Sequence, residues 1–111
     1  MELARRLDEQ VRTPRREFPE FLGAVSHVGV LGQKRAADAL RERAGRLTEI
    51  ITNDQKCLQR ALDAEGVPRL FVIEAEYALA MLQAERAWVL ELIDDIETGR
   101  LGWPRRPGSQ R

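Results

Sequence analysis

Few residues in this chain are of types that do chemistry, and their spacing decides what they can do. There is one histidine, His27, and one cysteine, Cys57, thirty residues later. A metal centre needs several such ligands at suitable spacing, and this pair does not provide them. His27 lies in a stretch rich in small and apolar residues, where a packed histidine is the expected reading. Cys57 reads most simply as a small buried or half-buried residue. Gly29 and Gly32 lack the Lys-Ser/Thr continuation of a phosphate-binding loop. No Ser/His/Asp order points to a nucleophile. Catalytic residues, a metal and a cofactor are therefore not assigned, and the chain is not read as an enzyme.

Two carboxylates stand out by position. Glu74 and Glu85 fall inside the apolar arc of the last long helical segment. A charge buried there must be paired. Arg41, Arg43, Arg46 and Lys34 on the preceding segment are the candidate partners. An ion pair is expected rather than acid–base chemistry. Trp88 is the remaining residue of note, and it shares a helical face with Tyr77, Met81 and Ala84.

The elements that must position these residues are helical. Ala and Leu together supply 27 of the 111 residues, with 43% hydrophobic and 32% charged overall. This favours helices over strands. One domain is expected at this length, which excludes large multi-domain enzymes. A lone cysteine gives no sign of a disulfide framework. The longest uninterrupted apolar run, Tyr77 to Leu82, is far below the roughly 18 residues of a membrane span. A cytoplasmic protein without a membrane partner is the expectation.

Along the chain, Leu3, Leu7 and Val11 place one stripe on a short helix, broken at Thr13-Pro14. Residues 17–31 predict a second helix, apolar nearly all round and hence buried. Residues 33–64 predict a long helix with a seam of Ala37, Leu40, Ala44, Leu47, Ile51, Leu58 and Ala61, interrupted only at Asp54. Gly66 and Pro68 end it. Residues 69–99 predict a second long helix. On a helical wheel, Leu70, Ile73, Tyr77, Met81, Ala84, Trp88 and Leu92 share one face. Phe71, Ala75, Ala78, Leu82, Val89, Ile93 and Ile96 share the neighbouring one. One partner helix in the chain cannot cover so wide an arc, so a second copy is expected to supply another. Residues 100–111 form a basic Pro/Gly tail without periodicity, with Leu101 and Trp103 as docking candidates.

The zero net charge is a sum of unlike parts. Residues 70–99 carry −6, residues 33–64 carry +2, and the tail carries +4 through Arg100, Arg105, Arg106 and Arg111. The acidic helix disfavours a phosphate backbone as neighbour, and a solvated tail is expected. The tail lacks the aromatic interleaving of single-strand binders apart from Trp103.

The segment Pro68 to Trp103 resembles the C-terminal helix of PadR-family transcriptional regulators. It carries an aromatic-aliphatic run, then Glu74-Ala-Glu76-Tyr77, then Trp88 about eleven residues on, and closes with Gly-Arg-Leu-Gly-Trp. Arg16 to Ala44 is similar to the preceding part of that family, including the Arg41-Glu42-Arg43 pattern. The resemblance covers residues 17–103. It implies an all-α dimerisation domain of the virulence-activator-alpha C-terminal type: a long antiparallel helical hairpin with a short packing helix, dimerising through the long helices.

The family's winged helix-turn-helix is missing, since only sixteen residues precede Glu17. Residues 1–16 are then the remnant of a linker helix, 17–99 the dimerisation domain and 100–111 the tail. The chain is expected to be either a piece of a longer regulator or a shortened product without its DNA reader. The resemblance implies a homodimer whose expected interface is Phe71, Ile73, Tyr77, Met81, Ala84, Trp88, Leu92 and Ile96. It implies DNA contact only through an attached winged helix. Some relatives bind planar molecules between interface tryptophans, so a small planar effector at Trp88, Ala84 and Tyr77 is a further expectation. Two alternatives stay open: a stand-alone small-molecule-binding helical dimer, and a dominant-negative partner of a full-length PadR regulator.

Overall fold

Helix-forming sequence punctuated by Gly and Pro produces four α-helices in the computed structural model, which describes residues 2–15, 17 and 19–104. They are α1 (Glu2–Arg12), α2 (Glu20–Val25), α3 (Gln33–Gln59) and α4 (Ile73–Glu97). Single 3₁₀ turns occupy Val28–Val30 and Arg69–Val72, and no strand occurs among the described residues. The molecule is an all-α hairpin of α3 and α4 with α2 lying across one end.

The pairing of α3 with α4 follows from their seams. Ala36, Ala37, Leu40 and Ala44 pack with Val89, Ile93 and Ile96 in one core cluster. Leu47 and Ile51 pack with Leu79 in a second. The start of α3 thus meets the end of α4, so the helices are antiparallel. Three alanines opposite two isoleucines and a valine let the backbones approach closely while the large side chains fill the gap. Of the predicted seam, Ala37, Leu40, Ala44, Leu47 and Ile51 are buried and Leu58 and Ala61 half-buried, while Ala36, outside the predicted seam, is fully buried. Gln33 ties the open end of the hairpin, donating from Nε2 to the Ile96 carbonyl at 3.3 Å.

A polar link also crosses the exposed flank of the hairpin. Arg86 Nε donates to Thr48 Oγ1 at 2.6 Å, and Thr48 Oγ1 donates to the Ala44 carbonyl at 2.9 Å. Such a cross-link fixes the register of two helices whose apolar contacts alone would tolerate sliding.

The turn between the helices is built from the residues that forecast it. The last turn of the α3 region, Arg60–Ala64, widens to i→i+5 pairing. Gly66 follows at φ +65°, a left-handed conformation that only glycine adopts without strain. The Val67 N–H donates to the Ala61 carbonyl at 2.9 Å, closing the turn before Pro68. Gly99, at φ +81°, ends α4 in the same way.

Residues 17–31 depart from expectation. The α-helix there covers only Glu20–Val25, a turn follows at Ser26-His27, and none of its residues is fully buried. Phe18 lies outside the described residues. The reason is local competition and a missing neighbour. Ser26 donates its hydroxyl to the Gly23 carbonyl at 2.7 Å, and Gly23 and Gly29 weaken the helix further. Within one chain the segment has the hairpin on one side only.

The segment after α4 docks as expected at Trp103. Its indole N–H donates to the Leu31 carbonyl at 2.9 Å, and the ring packs on the first core cluster. Leu101 stays 38% exposed. The tail arginines Arg105, Arg106 and Arg111 lie outside the described residues.

Candidate functional site

The outer face of α4 is the most conspicuous surface. Successive residues on an α-helix are turned by about 100°, so Ile73, Tyr77, Met81, Ala84 and Trp88 share one line. That line points about 130° away from the core-facing line of Val89, Ile93 and Ile96. All five are exposed, with Tyr77 at 69%, Met81 at 51% and Trp88 at 47%. Leu70 and Phe71 extend the apolar surface onto the preceding turn.

The stripe stops sharply. Glu91 and Asp95 occupy the same line further along α4, and both are acidic. Leu92 and Ile96 rotate out of it towards the hairpin. Leu92 is half-buried against the core and Ile96 is 2% exposed, inside the protomer. Of the eight residues expected at an interface, six therefore lie on open surface. Ile96 does not, because a period of 3.6 residues carries an i, i+4 series around the helix.

At the edge of this face α2, α3 and α4 meet. Arg43 donates from Nε to Glu85 Oε2 at 2.5 Å, and its guanidinium carbon stands 3.6 Å from the centre of the Phe21 ring. One side chain thus joins three helices through an ion pair and a cation–π contact. The pair is only partly shielded, with Arg43 39% and Glu85 27% exposed. Glu85 fulfils the expected pairing. Glu74 does not: it lies at the exposed start of α4, where no burial demands a partner. Arg41 pairs instead with Glu97, Arg46 with Glu42, and Lys34 with Asp38 at 3.0 Å.

Two open grooves flank α2. One, of about 800 Å³, includes Phe21, Leu22, Arg43, Glu85 and Trp88 in its lining. The other, of about 480 Å³, is lined by apolar residues of α2, the following 3₁₀ turn and α3, including Val25, Val28, Val30 and Leu40. Trp88 therefore borders a groove with Phe21, whereas Tyr77 and Ala84 stand on the open face of α4 outside the residues lining either groove.

Ion pairs bracket α4 at both ends. Arg69 donates to both oxygens of Glu76, each at 2.7 Å, clamping the 3₁₀ turn to the first turn of the helix. Those hydrogen bonds hold the Glu76 carboxyl below its ordinary range and raise the Arg69 guanidinium. At the other end Arg100 donates to Asp95 at 2.9 Å and also to Asp94, which raises its own ionisation in turn. The Arg69–Glu76 spacing spans two different elements, which a helical wheel of one element does not reveal.

His27 and Cys57 are both exposed, contrary to expectation. Residues 17–31 do not bury as one helix, and Cys57 points away from the α3 seam. His27 Nδ1 lies 3.0 Å from Ser26 Oγ and 3.3 Å from the Gly23 carbonyl, so it belongs to the turn. Among the described residues no group of three or more His, Cys, Asp or Glu is placed to hold a metal ion. No helix among them is long and apolar enough to cross a membrane. In comparisons with known proteins, the chain matches no family model, no curated protein and no solved structure.

Proposed function

We propose that this chain is a dimerisation module that pairs the outer face of α4 with the same face of a second copy. The exposed Ile73–Tyr77–Met81–Ala84–Trp88 stripe is the observation that carries this reading. A contiguous apolar face of this kind marks an interaction site.

The size of the molecule supports it. A compact monomer of this mass presents about 6,200 Å² of surface. This chain presents 9185 Å². Its radius of gyration is 19.3 Å, against about 13 Å for a compact chain of this length. One chain leaves much apolar surface uncovered, and a second copy of the hairpin has the same need.

Separating Glu91 and Asp95 from their own copies calls for an antiparallel arrangement of the two α4 helices. A parallel pair sets Glu91 and Asp95 beside their own copies. An antiparallel pair separates those copies and sets Glu91 and Asp95 near Arg69 and the N-terminal end of the partner's α4, whose first turn also carries Glu74 and the Arg69-paired Glu76. Ala80 and Ala84 near the middle of the stripe permit close approach. In a PadR-like regulator such a module holds two attached DNA-reading domains at a fixed spacing.

Sedimentation equilibrium tests the reading. The native chain is expected at twice its 12.7 kDa mass at tens of micromolar. A Tyr77→Glu/Met81→Glu double variant is expected to sediment as a helical monomer. A native chain that stays monomeric at that concentration overturns the proposal.

A further inference from the structure

One flank of α4 is covered along only half its length. Phe71, Ala78, Glu85 and Leu92 are seven residues apart, and two helical turns take about seven residues, so all four fall on that flank. In the second half, Glu85 and Leu92 are half-buried. α2 stands beside this half, pinned by Arg43, which bonds Glu85 and stacks on Phe21. In the first half the flank is bare: Ala78 is exposed, Phe71 is 75% exposed and the adjoining Leu70 is 70% exposed. α2 has an open side of its own, where Leu22 is 46% exposed.

Symmetry relates the two bare surfaces. Trp88 ends the outer stripe of α4 and also lines the groove with Leu22, so α2 borders the stripe itself. A two-fold axis that pairs the Ile73–Trp88 stripe with its own copy antiparallel passes near the stripe's midpoint, between Ala80 and Met81. Residues 85–92 of one copy then come level with residues 69–76 of the other. Rotation about an axis perpendicular to both helices keeps each flank on its own side of the pair. The covered half of the flank in one copy therefore lies beside the bare half in the other. Packed helices stand about 8–10 Å apart, so a helix bordering one member of the pair is within reach of the second. A parallel pair keeps the two α2 helices level with each other, and Phe71 stays bare.

We propose that α2 is shared between two copies: its inner side packs on its own hairpin, and Leu22 on its open side covers Leu70 and Phe71 of a second copy. The inference rests on the antiparallel homodimer proposed above and names the second element of its interface. It accounts for residues 17–31 being apolar nearly all round while their own chain covers one side only. Each copy carries one uncovered Leu22 and one uncovered Phe71, and the two-fold pair joins both sets.

Disulfide trapping tests the sharing. In a Cys57→Ser background, one tagged chain carries Leu22→Cys and a differently tagged chain carries Phe71→Cys. Within one chain, Phe71 lies about 25 Å along α4 from Trp88 and the groove, too far for a disulfide. The two chains are co-expressed, oxidised mildly and resolved without reductant. The expected result is a disulfide between them, formed at least tenfold faster than between Leu22→Cys and a control chain carrying Glu49→Cys, at an exposed position on α3. Separately, Phe71→Glu, at a position too exposed to disturb the monomer, is expected to raise the dimer dissociation constant at least tenfold. Trapping no faster than the control overturns the sharing, as does a dissociation constant unchanged by Phe71→Glu. A native dimer that fails these tests leaves the α4 pairing intact, whereas a native monomer removes both.

Discussion

At the scale of single residues, Arg43 and Glu76 show what charge does on a half-open surface. Arg43 is held by Glu85 and stacked on Phe21. Neither contact is deeply shielded, so their coupling is modest. A double-mutant cycle of Arg43→Ala and Glu85→Ala, read by urea unfolding, is expected to give an interaction energy of about 0.5–1 kcal/mol. The structural consequence exceeds the energetic one, because Arg43 is where α2 is pinned to the hairpin.

Glu76 makes a prediction about acidity. Its carboxyl is held low in the folded chain by the hydrogen bonds from Arg69, so it binds a proton more readily when unfolded. It therefore stabilises the fold above its unfolded ionisation. That contribution is lost as pH falls through the lowered folded value. Melting temperature measured from neutral to strongly acidic pH is expected to fall less for Glu76→Gln than for the native chain over that window. Equal slopes count against the clamp.

At the scale of elements, the two faces of α4 behave differently. Ile96, 2% exposed, fills the space opposite the α3 alanines. Ile96→Ala leaves a cavity and is expected to cost about 2–5 kcal/mol in chemical unfolding. The turn between α3 and α4 depends on a backbone conformation rather than a side chain. Gly66→Ala places a Cβ at φ +65° and is expected to lower stability by about 1–2 kcal/mol. Space around Gly66 is open, with nothing within 4 Å of an added Cβ. Loss of stability there reports the backbone strain alone.

At the scale of the whole molecule, the 63 × 36 × 18 Å extents describe a thin body with little interior. Among the described residues its core consists of ten buried hydrophobic residues, seven of them small or β-branched: Ala36, Ala37, Ala44, Ile51, Val89, Ile93 and Ile96. Under the proposed α4 pairing, such a chain gains stability from a second copy. Its melting temperature is therefore expected to rise with protein concentration between about 1 and 100 μM, as mass action requires. Differential scanning calorimetry at several concentrations checks this. The Tyr77→Glu/Met81→Glu variant is expected to melt independently of concentration.

The sequence by itself determined the two long helices, most of their seam and the breaks that end them, but not the turn that stops α2 at Val25. Leu40, Ala44, Leu47 and Ile51 announce their burial by spacing alone, because a helix has one period and a buried seam must follow it. Gly66 and Gly99 announce the turns, because few other residues take their backbone angles. The wheel of α4 also separates two apolar lines; Val89, Ile93 and Ile96 of the second are core, whereas its Phe71, Ala75 and Ala78 are exposed. What it did not determine is where a neighbour exists. Residues 17–31 read as buried because they are apolar, yet burial also requires something on the second side. Ile96 and Trp88 belong to similar patterns, but the path of α3 encloses one and leaves the other open. Leu79, outside both lines, is buried at 9% because α3 passes over it. The joining of Phe21, Arg43 and Glu85 depends on three helices meeting at one point. Periodicity along one segment carries no information about that meeting, which only the tertiary arrangement decides.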